Sequence, residues 1–311
     1  MNKTAIEWVR GANGSQGYTW NPITGCLNRC PYCYARRLAE GRLRQAYLGG
    51  KYELAPSLSG GKVIINTDPF YPRFWADRLG QIPMLGSTSS LGIFVCDMGD
   101  LFGAGIPMGW TKRVLDILGG HWQHRFYLLT KQPQNLLRFS PFPDNAWVGV
   151  TATGREMFEE ALDKLKVTDA TLKYISIEPL LEAIPFNMER LAYCGVKWLI
   201  IGAMTGRKAK IEELAQQYPQ LTPMPYGKIW TLQPQPVWVK EIVSAATKVG
   251  IPVFLKNNLK PLIASVLFPG LSRDAVHRTS GFDAIAFLSL RQEMPNTERC
   301  YESEWPASIL S

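Results

Sequence analysis

Short runs of apolar, β-branched and aromatic residues recur along this chain, and stretches of helical spacing separate many of them. After a first run at Tyr18 to Thr24 come Val63 to Asn66, Gly92 to Cys96, Arg125 to Leu129 and Trp147 to Val150, then Tyr174 to Ile177, Lys197 to Ile201 and Pro252 to Leu255. Near-continuous apolar runs of this length suit strands covered on both faces, as in a parallel sheet. Helix-like stretches at Met108 to Leu118, Arg155 to Leu165 and Val237 to Lys248 lie between them. The alternation predicts an α/β fold, a (β/α) barrel, complete or partial, over residues 18–260. Residues 1–17, broken by Gly11, Asn13, Gly14, Ser15 and Gly17, read as an irregular lead-in. Ala203 to Gln235, rich in proline, reads as an excursion over the barrel mouth or rim, and residues 261–311 as a carboxyl-terminal extension packed on the barrel.

Polar or charged residues stand where the expected strands end. Asp68 follows the second, Asp97 and Asp100 the third, Lys131 the fourth, Thr151 and Thr153 the fifth and Glu178 the sixth, while Lys256 ends the last. In a parallel barrel these positions share the carboxyl-end face, where active sites are built. Any one of them would serve as a helix cap or a solvated loop residue; the shared phase is what marks a site.

Three of the six cysteines, Cys26, Cys30 and Cys33, occupy one loop that opens onto the same face and runs into a helix from Tyr34 to about Leu48. Thiolates are soft ligands, and three at these offsets can wrap one face of a soft metal or an iron-sulfur cluster while leaving one coordination position open. The alternative is a closed zinc site whose fourth ligand is remote: Cys96, Cys194, Cys300 or a histidine. A disulfide fits poorly, because Cys30 and Cys33 flank a turn entering a helix and nothing marks the protein as secreted.

Lysine and arginine outnumber aspartate and glutamate by 34 to 26, a formal charge of +8. That balance favours an anionic partner, nucleic acid or a phosphorylated metabolite, or else is a basic surface with no particular partner. Arg36, Arg37, Arg42 and Arg44 concentrate part of it just after the cysteine loop. The first residues lack the apolar core of a signal peptide, and no apolar run approaches the roughly 18 residues of a membrane span, so a soluble, cytoplasmic protein is expected.

The spacing Cys-x3-Cys-x2-Cys, with Tyr32 before the last cysteine, resembles the signature of the radical S-adenosylmethionine (SAM) superfamily. The resemblance widens through Tyr18 to Cys26, Phe94 to Phe102, Leu128 to Pro133, Trp147 to Thr151, Ser176 to Leu181 and Val253 to Lys256. Together these look like the phage-associated radical SAM family of unknown function, over roughly residues 4 to 260. The family pattern usually carries a Gly-Gly-Glu-Ser-Gly type segment after the seventh strand, where this chain reads Gly202-Ala203-Met204-Thr205-Gly206 and has no carboxylate. A weaker resemblance, at Asn66 to Pro72, is to radical SAM proteins related to spore photoproduct lyase.

The resemblance implies a barrel of radical SAM type. Cys26, Cys30 and Cys33 would hold a 4Fe-4S cluster and Tyr32 would lie beside the adenine of SAM. Thr67 and Asp68 would receive its ammonium, Lys131 its carboxylate, and Thr151 or Thr153 its ribose. Reductive cleavage of SAM would yield a 5′-deoxyadenosyl radical that takes hydrogen from a substrate, with an electron donor such as flavodoxin or ferredoxin. Asp97, Asp100 and Glu178 would remain to hold substrate or supply a proton. Cys96 is either a hydrogen-atom donor or a buried structural thiol. Cys194 and Cys300 are expected to have no catalytic role, nor His121, His124 and His277 a metal role. The rival function is a non-enzymatic, zinc-stabilised nucleic-acid-binding protein. A peptide-modifying radical enzyme would call for further cluster ligands, and no other cysteines are clustered.

Overall fold

The computed structural model describes residues 1–57, 67–84, 90–267 and 290–296. In chain order, β1 (Asn2–Lys3), β2 (Tyr18–Trp20) and β3 (Ile23–Thr24) precede the cysteine loop, and α1 (Tyr34–Glu40) and α2 (Arg44–Gly49) follow it. Next come β4 (Glu53–Leu54), β5 (Arg73–Phe74), β6 (Gly92–Val95), α3 (Met108–Gly120), β7 (Arg125–Thr130), β8 (Ala146–Thr151) and α4 (Arg155–Val167). They are followed by β9 (Leu172–Ile177), α5 (Met188–Tyr193), β10 (Val196–Ile201), β11 (Met204–Gly206), α6 (Lys208–Gln217), β12 (Thr222–Tyr226) and β13 (Ile229–Gln233). Last are α7 (Pro236–Lys248), β14 (Val253–Leu255) and α8 (Lys260–Leu267).

The central sheet runs β1-β2-β6-β7-β8-β9-β10-β14, parallel throughout except for β1, which pairs antiparallel on the edge of β2. Its strands look continuously apolar in sequence because both faces are buried, yet the two faces differ. Ile93, Val95, Phe126, Leu128, Val148, Val150, Ile175, Ile177, Leu199, Ile201, Val253 and Leu255 pack in the large core with the helices. The alternate residues Phe94, Tyr127, Trp147, Tyr174, Trp198 and Phe254 face the other way and form a second, aromatic core. This is the period of two expected of a strand. Gly149 lies opposite Tyr174 in register, and a Cβ there would stand 2.2 Å from the tyrosine ring, so the aromatic face needs a glycine at that point.

Trp8 plugs this inner face, its ring 5.1 to 6.1 Å from those of Phe94, Tyr127, Tyr174 and Trp198. One ring can touch strands that far apart in the sheet only if the sheet curls around it. The result is a mixed α/β fold with a curved, mostly parallel sheet; a closed barrel is not shown, since among the described residues the strand order ends at β1 and β14 without those edges pairing. The outer edge of β14 is covered by residues 291–293, whose backbone exchanges hydrogen bonds with Val253 and Leu255.

Residues 1–17 have little regular structure beyond β1, and they carry Trp8 and Val9 into the core, 2% and 1% exposed. Within the proline-rich stretch β11, β13 and β12 form a three-stranded antiparallel sheet beside α6, which the sequence reading did not anticipate. Pro223 and Pro225 sit on β12, the edge strand, where a missing N–H costs no ladder bond. A third small sheet, β3-β5-β4, lies at the start of the cysteine loop. The expected strand Val63 to Asn66, and most of the expected extension, lie outside the described residues. Among the described residues no helix is long and apolar enough to cross a membrane.

Candidate active site

The cysteine loop is pinned at its entry. Gly25 has φ 87, its N–H donates to the Met98 carbonyl at 2.9 Å, and a Cβ would come within 2.5 Å of the Tyr71 carbonyl oxygen. Only glycine combines that left-handed backbone with so close an approach. The Cys26 N–H then donates to the Phe70 carbonyl at 3.1 Å, and the Cys33 N–H to the Cys30 carbonyl at 3.1 Å, which closes the turn into α1. Cys33 caps that helix, its Sγ accepting from the Arg36 N–H at 3.3 Å.

Asp100, 4% exposed, holds the loop against the strand ends. Its Oδ1 accepts from the Phe102 N–H (3.1 Å) and the Thr130 hydroxyl (2.7 Å), and its Oδ2 from the Lys131 N–H (3.1 Å) and Asn28 Nδ2 (3.3 Å). Asn28 lies between Cys26 and Cys30, and Gln132 Nε2 donates to its Oδ1 at 2.6 Å. Asp100 is therefore a structural tie among β6, β7 and the loop, and its four accepted bonds leave little acceptor capacity for a substrate. Burial pushes its pKa up against the pull of those hydrogen bonds.

A cavity of 760 Å³ opens above the carboxyl ends of the strands. The cysteine loop contributes Cys26, Cys30, Cys33 and Tyr32, and the strand ends Asp97, Asp100, Lys131, Thr151 and Glu178; Thr4 to Trp8 and Met204, Thr205, Tyr226 and Ile229 of the β11-β13-β12 sheet also line it. The Lys131 ammonium stands 5.6 Å from the centre of the Tyr32 ring. Burial lowers its pKa, while Cys30, Asp100 and Glu178 pull it back up. Burial, then the Asp100 charge, pushes the Cys26 thiol up to about 12, and burial raises Cys30 against the pull of Lys131. A cation bound by these sulfurs would favour the thiolates that burial alone disfavours.

Asp97 accepts from Asn21 Nδ2 at 2.6 Å, and the Tyr34 hydroxyl donates to its backbone carbonyl at 2.7 Å. Burial raises the Asp97 pKa, opposed by its hydrogen bonds. Glu178 pairs with Lys256 at 2.5 Å, and both line the cavity. Thr153 is buried and does not line the cavity; its hydroxyl faces Met157 Sδ at 3.3 Å and also meets Tyr32. Thr67 and Asp68 do not reach the lining either. Asp68 Oδ1 accepts from the Phe70 N–H at 2.8 Å and Oδ2 stands 3.6 Å from the Arg36 guanidinium, the arrangement of a turn-capping carboxylate.

Cys96 lines the cavity at the end of β6, buried and with φ 60. Cys194 ends α5 as a core residue. His124 lies between the Leu91 N–H and the Pro83 carbonyl, and His121 faces the Ile117 carbonyl, both before β7. Cys300 and His277 fall outside the described residues. The sequence reading missed Glu7 and Trp8, whose only signal was a charge inside the apolar Ile6-Glu7-Trp8-Val9. It also missed Tyr226 on β12, and Lys256 as the partner of Glu178, although that lysine shares the strand-end phase.

Cys26, Cys30 and Cys33 share the lining of one cavity, a soft donor set that suits a soft metal or an iron-sulfur cluster. Among the described residues no three His, Cys, Asp or Glu side chains are placed to hold a single metal ion.

Residues 3–217 match the model of a family described as "Protein of unknown function (DUF5131)". The chain belongs to this family. Among curated proteins none matches it. Among solved structures it is similar to spore photoproduct lyase complexed with dinucleoside spore photoproduct, at 13% identity and a TM-score of 0.45 over 77% of this chain and 75% of that one. A variant of the same lyase with bound AdoMet and dinucleoside spore photoproduct is 12% identical, with a TM-score of 0.46 over 77% and 75% of the two chains.

Proposed function

We propose that the protein is a radical SAM enzyme acting on nucleic acid or a nucleotide-derived compound. The observation that carries this reading is the convergence of Cys26, Cys30 and Cys33 on one cavity shared with Tyr32, Lys131 and Thr151. In the proposal the three sulfurs hold a 4Fe-4S cluster and leave one iron to SAM. When bound, cluster and SAM supply one-electron cleavage to a radical that removes hydrogen from the substrate. Tyr32 offers a ring face to the adenine, Lys131 a cation to the SAM carboxylate, and Thr151 a hydroxyl to the ribose. Thr153 acts behind Tyr32, orienting its hydroxyl. Asp97 and Asp100 set the shape of the sulfur wall, and the Glu178–Lys256 pair faces the substrate. Thr67 and Asp68 have no part in this version, because Asp68 is committed to Arg36 and Phe70. The formal charge of +8 favours the anionic substrate class, and a flavodoxin or ferredoxin is proposed as electron donor.

The test is anaerobic reconstitution. About four irons and four sulfides per chain and release of 5′-deoxyadenosine from SAM after reduction are expected, and Cys30→Ala should lose both. A colourless protein with one stoichiometric zinc would replace this reading with a zinc-stabilised nucleic-acid-binding protein.

A further inference from the structure

The row of strand ends gives the cavity two ends. The cysteine loop is tied through Asp100 to β6 and β7, whereas Glu7 is tied to the segment after β14: its Oε1 accepts from the Asn257 N–H at 3.1 Å. Glu7, which lies between β1 and β2, thereby links the amino-terminal segment to the segment that follows β14. Its second oxygen, Oε2, is buried and has no hydrogen-bond partner among the described residues. Trp8 Nε1, also buried, has no acceptor among the described residues. Both residues line the cavity, as do Ile6, Phe94, Leu129 and Ile229. One acceptor and one donor thus lie unmatched in a largely apolar corner.

We propose that Glu7 anchors a second binding subsite, at the β14 end of the cavity, for a planar ring carrying amino N–H donors, the chemistry of an amino-substituted nucleobase. The proposal rests on the radical SAM reading for what occupies the other end, and it narrows the substrate class of that reading. A desolvated carboxylate oxygen without a donor is costly, and an amino group satisfies it; a ring nitrogen or carbonyl can take the Trp8 N–H in turn. A flat ring fits among the apolar side chains with little desolvation loss. The volume of 760 Å³ leaves room for a ring beside a group held at the cysteines. Tyr226, on β12, also lines the cavity; burial, then the Glu7 charge, raises its pKa, so it remains an O–H donor at neutral pH.

The competing explanation is that Glu7 serves only to link the amino-terminal segment to Asn257. Glu7→Gln separates the two, since its amide oxygen keeps the bond from the Asn257 N–H while an NH2 replaces Oε2. The experiment is calorimetric titration of unreduced, AdoMet-saturated, reconstituted protein with three nucleoside pairs. These are cytidine against pyrimidin-2-one riboside, adenosine against purine riboside, and guanosine against inosine, the second of each lacking the amino group. At least one amino nucleoside should bind about tenfold more tightly than its counterpart, and the ratio should fall to about one in Glu7→Gln at an unchanged melting temperature. No discrimination in any pair, or a ratio that survives in Glu7→Gln, overturns the proposal. The same titration on metal-free protein separates the two readings. Discrimination by a chain that takes up no iron keeps the subsite and removes the radical chemistry; iron uptake without discrimination does the reverse.

Discussion

Replacing Asp100 by asparagine tests whether one buried carboxylate assembles the sulfur wall. Each of its oxygens receives one backbone N–H, from Phe102 and from Lys131, so no orientation of an asparagine amide suits both. One backbone donor must face an NH2 group and lose its acceptor, at about 1–3 kcal/mol. The Thr130 hydroxyl can turn to accept instead, but Asn28 can do so only by giving up the bond it receives from Gln132. The bonds that survive become neutral and lose about half of their strength, roughly 0.5–1 kcal/mol each. Against this, the amide carries no charge to desolvate, which recovers part of the loss. The expected net destabilisation of Asp100→Asn is about 2 kcal/mol, and Asp100→Ala, which strands all four donors, should cost about twice that. Urea unfolding of the metal-free protein measures both, and iron retained after reconstitution reports the sulfur wall, which should fall in parallel. If Asp100→Asn is as stable as the parent and retains its iron, the carboxylate is not the tie described.

Other consequences are as direct. Gly25→Ala should cost about 3 kcal/mol or more by urea unfolding, because it adds a clash with the Tyr71 carbonyl to an unfavourable left-handed backbone, while Gly49→Ala, with open space around it, should be neutral or slightly stabilising. Trp8→Ala should lose about 4 kcal/mol, and a change below about 1 kcal/mol would show that the amino-terminal segment is not part of the core. Burial raises the pKa of Cys96, Tyr127 and Tyr174, so these groups stay protonated in the folded chain at a pH where the unfolded chain ionises. The stability they contribute is complete below the ordinary thiol range of about 8.5–9 and is lost as pH rises beyond it. The melting temperature of metal-free protein should therefore fall from about pH 9 upward, with Cys96→Ala flattening the first part of that fall.

What could be read in the sequence was whatever local order determines. The cysteine spacing placed three thiols on one turn, and the strand-end phase placed Asp97, Lys131, Thr151 and Glu178 around one opening. The division of the sheet into aliphatic and aromatic faces was written there too, since Phe94, Tyr127, Trp147, Tyr174, Trp198 and Phe254 each stand one position from aliphatic neighbours. The sheet of β11, β13 and β12 was hidden because its prolines look like loop punctuation, and they are permitted only by an edge position that pairing decides. Glu7 was hidden because its partner lies 250 residues away at Asn257, and nothing near residue 7 signals that the last strand ends beside it.

Phase tells where a side chain stands but not whether it has bonding capacity left. By sequence Asp68 and Asp100 each follow an expected strand, like any active carboxylate of such a fold, yet Asp68 is taken by a turn N–H and an arginine, and Asp100 by four donors. Glu7 was outside the phase altogether and keeps an oxygen with no donor among the described residues. Counting acceptors against donors therefore ranks the carboxylates of this cavity in a different order from sequence position. Glu7 comes first and Asp100 last, with Glu178 between them because its one strong partner, Lys256, is itself a cavity residue that a ligand can compete for. Substitutions that keep shape and remove charge at Glu7, Glu178 and Asp100 should then affect ligand binding in that order and metal-free stability in the reverse order. Equal effects at all three would mean that the hydrogen bonds drawn here do not govern the site.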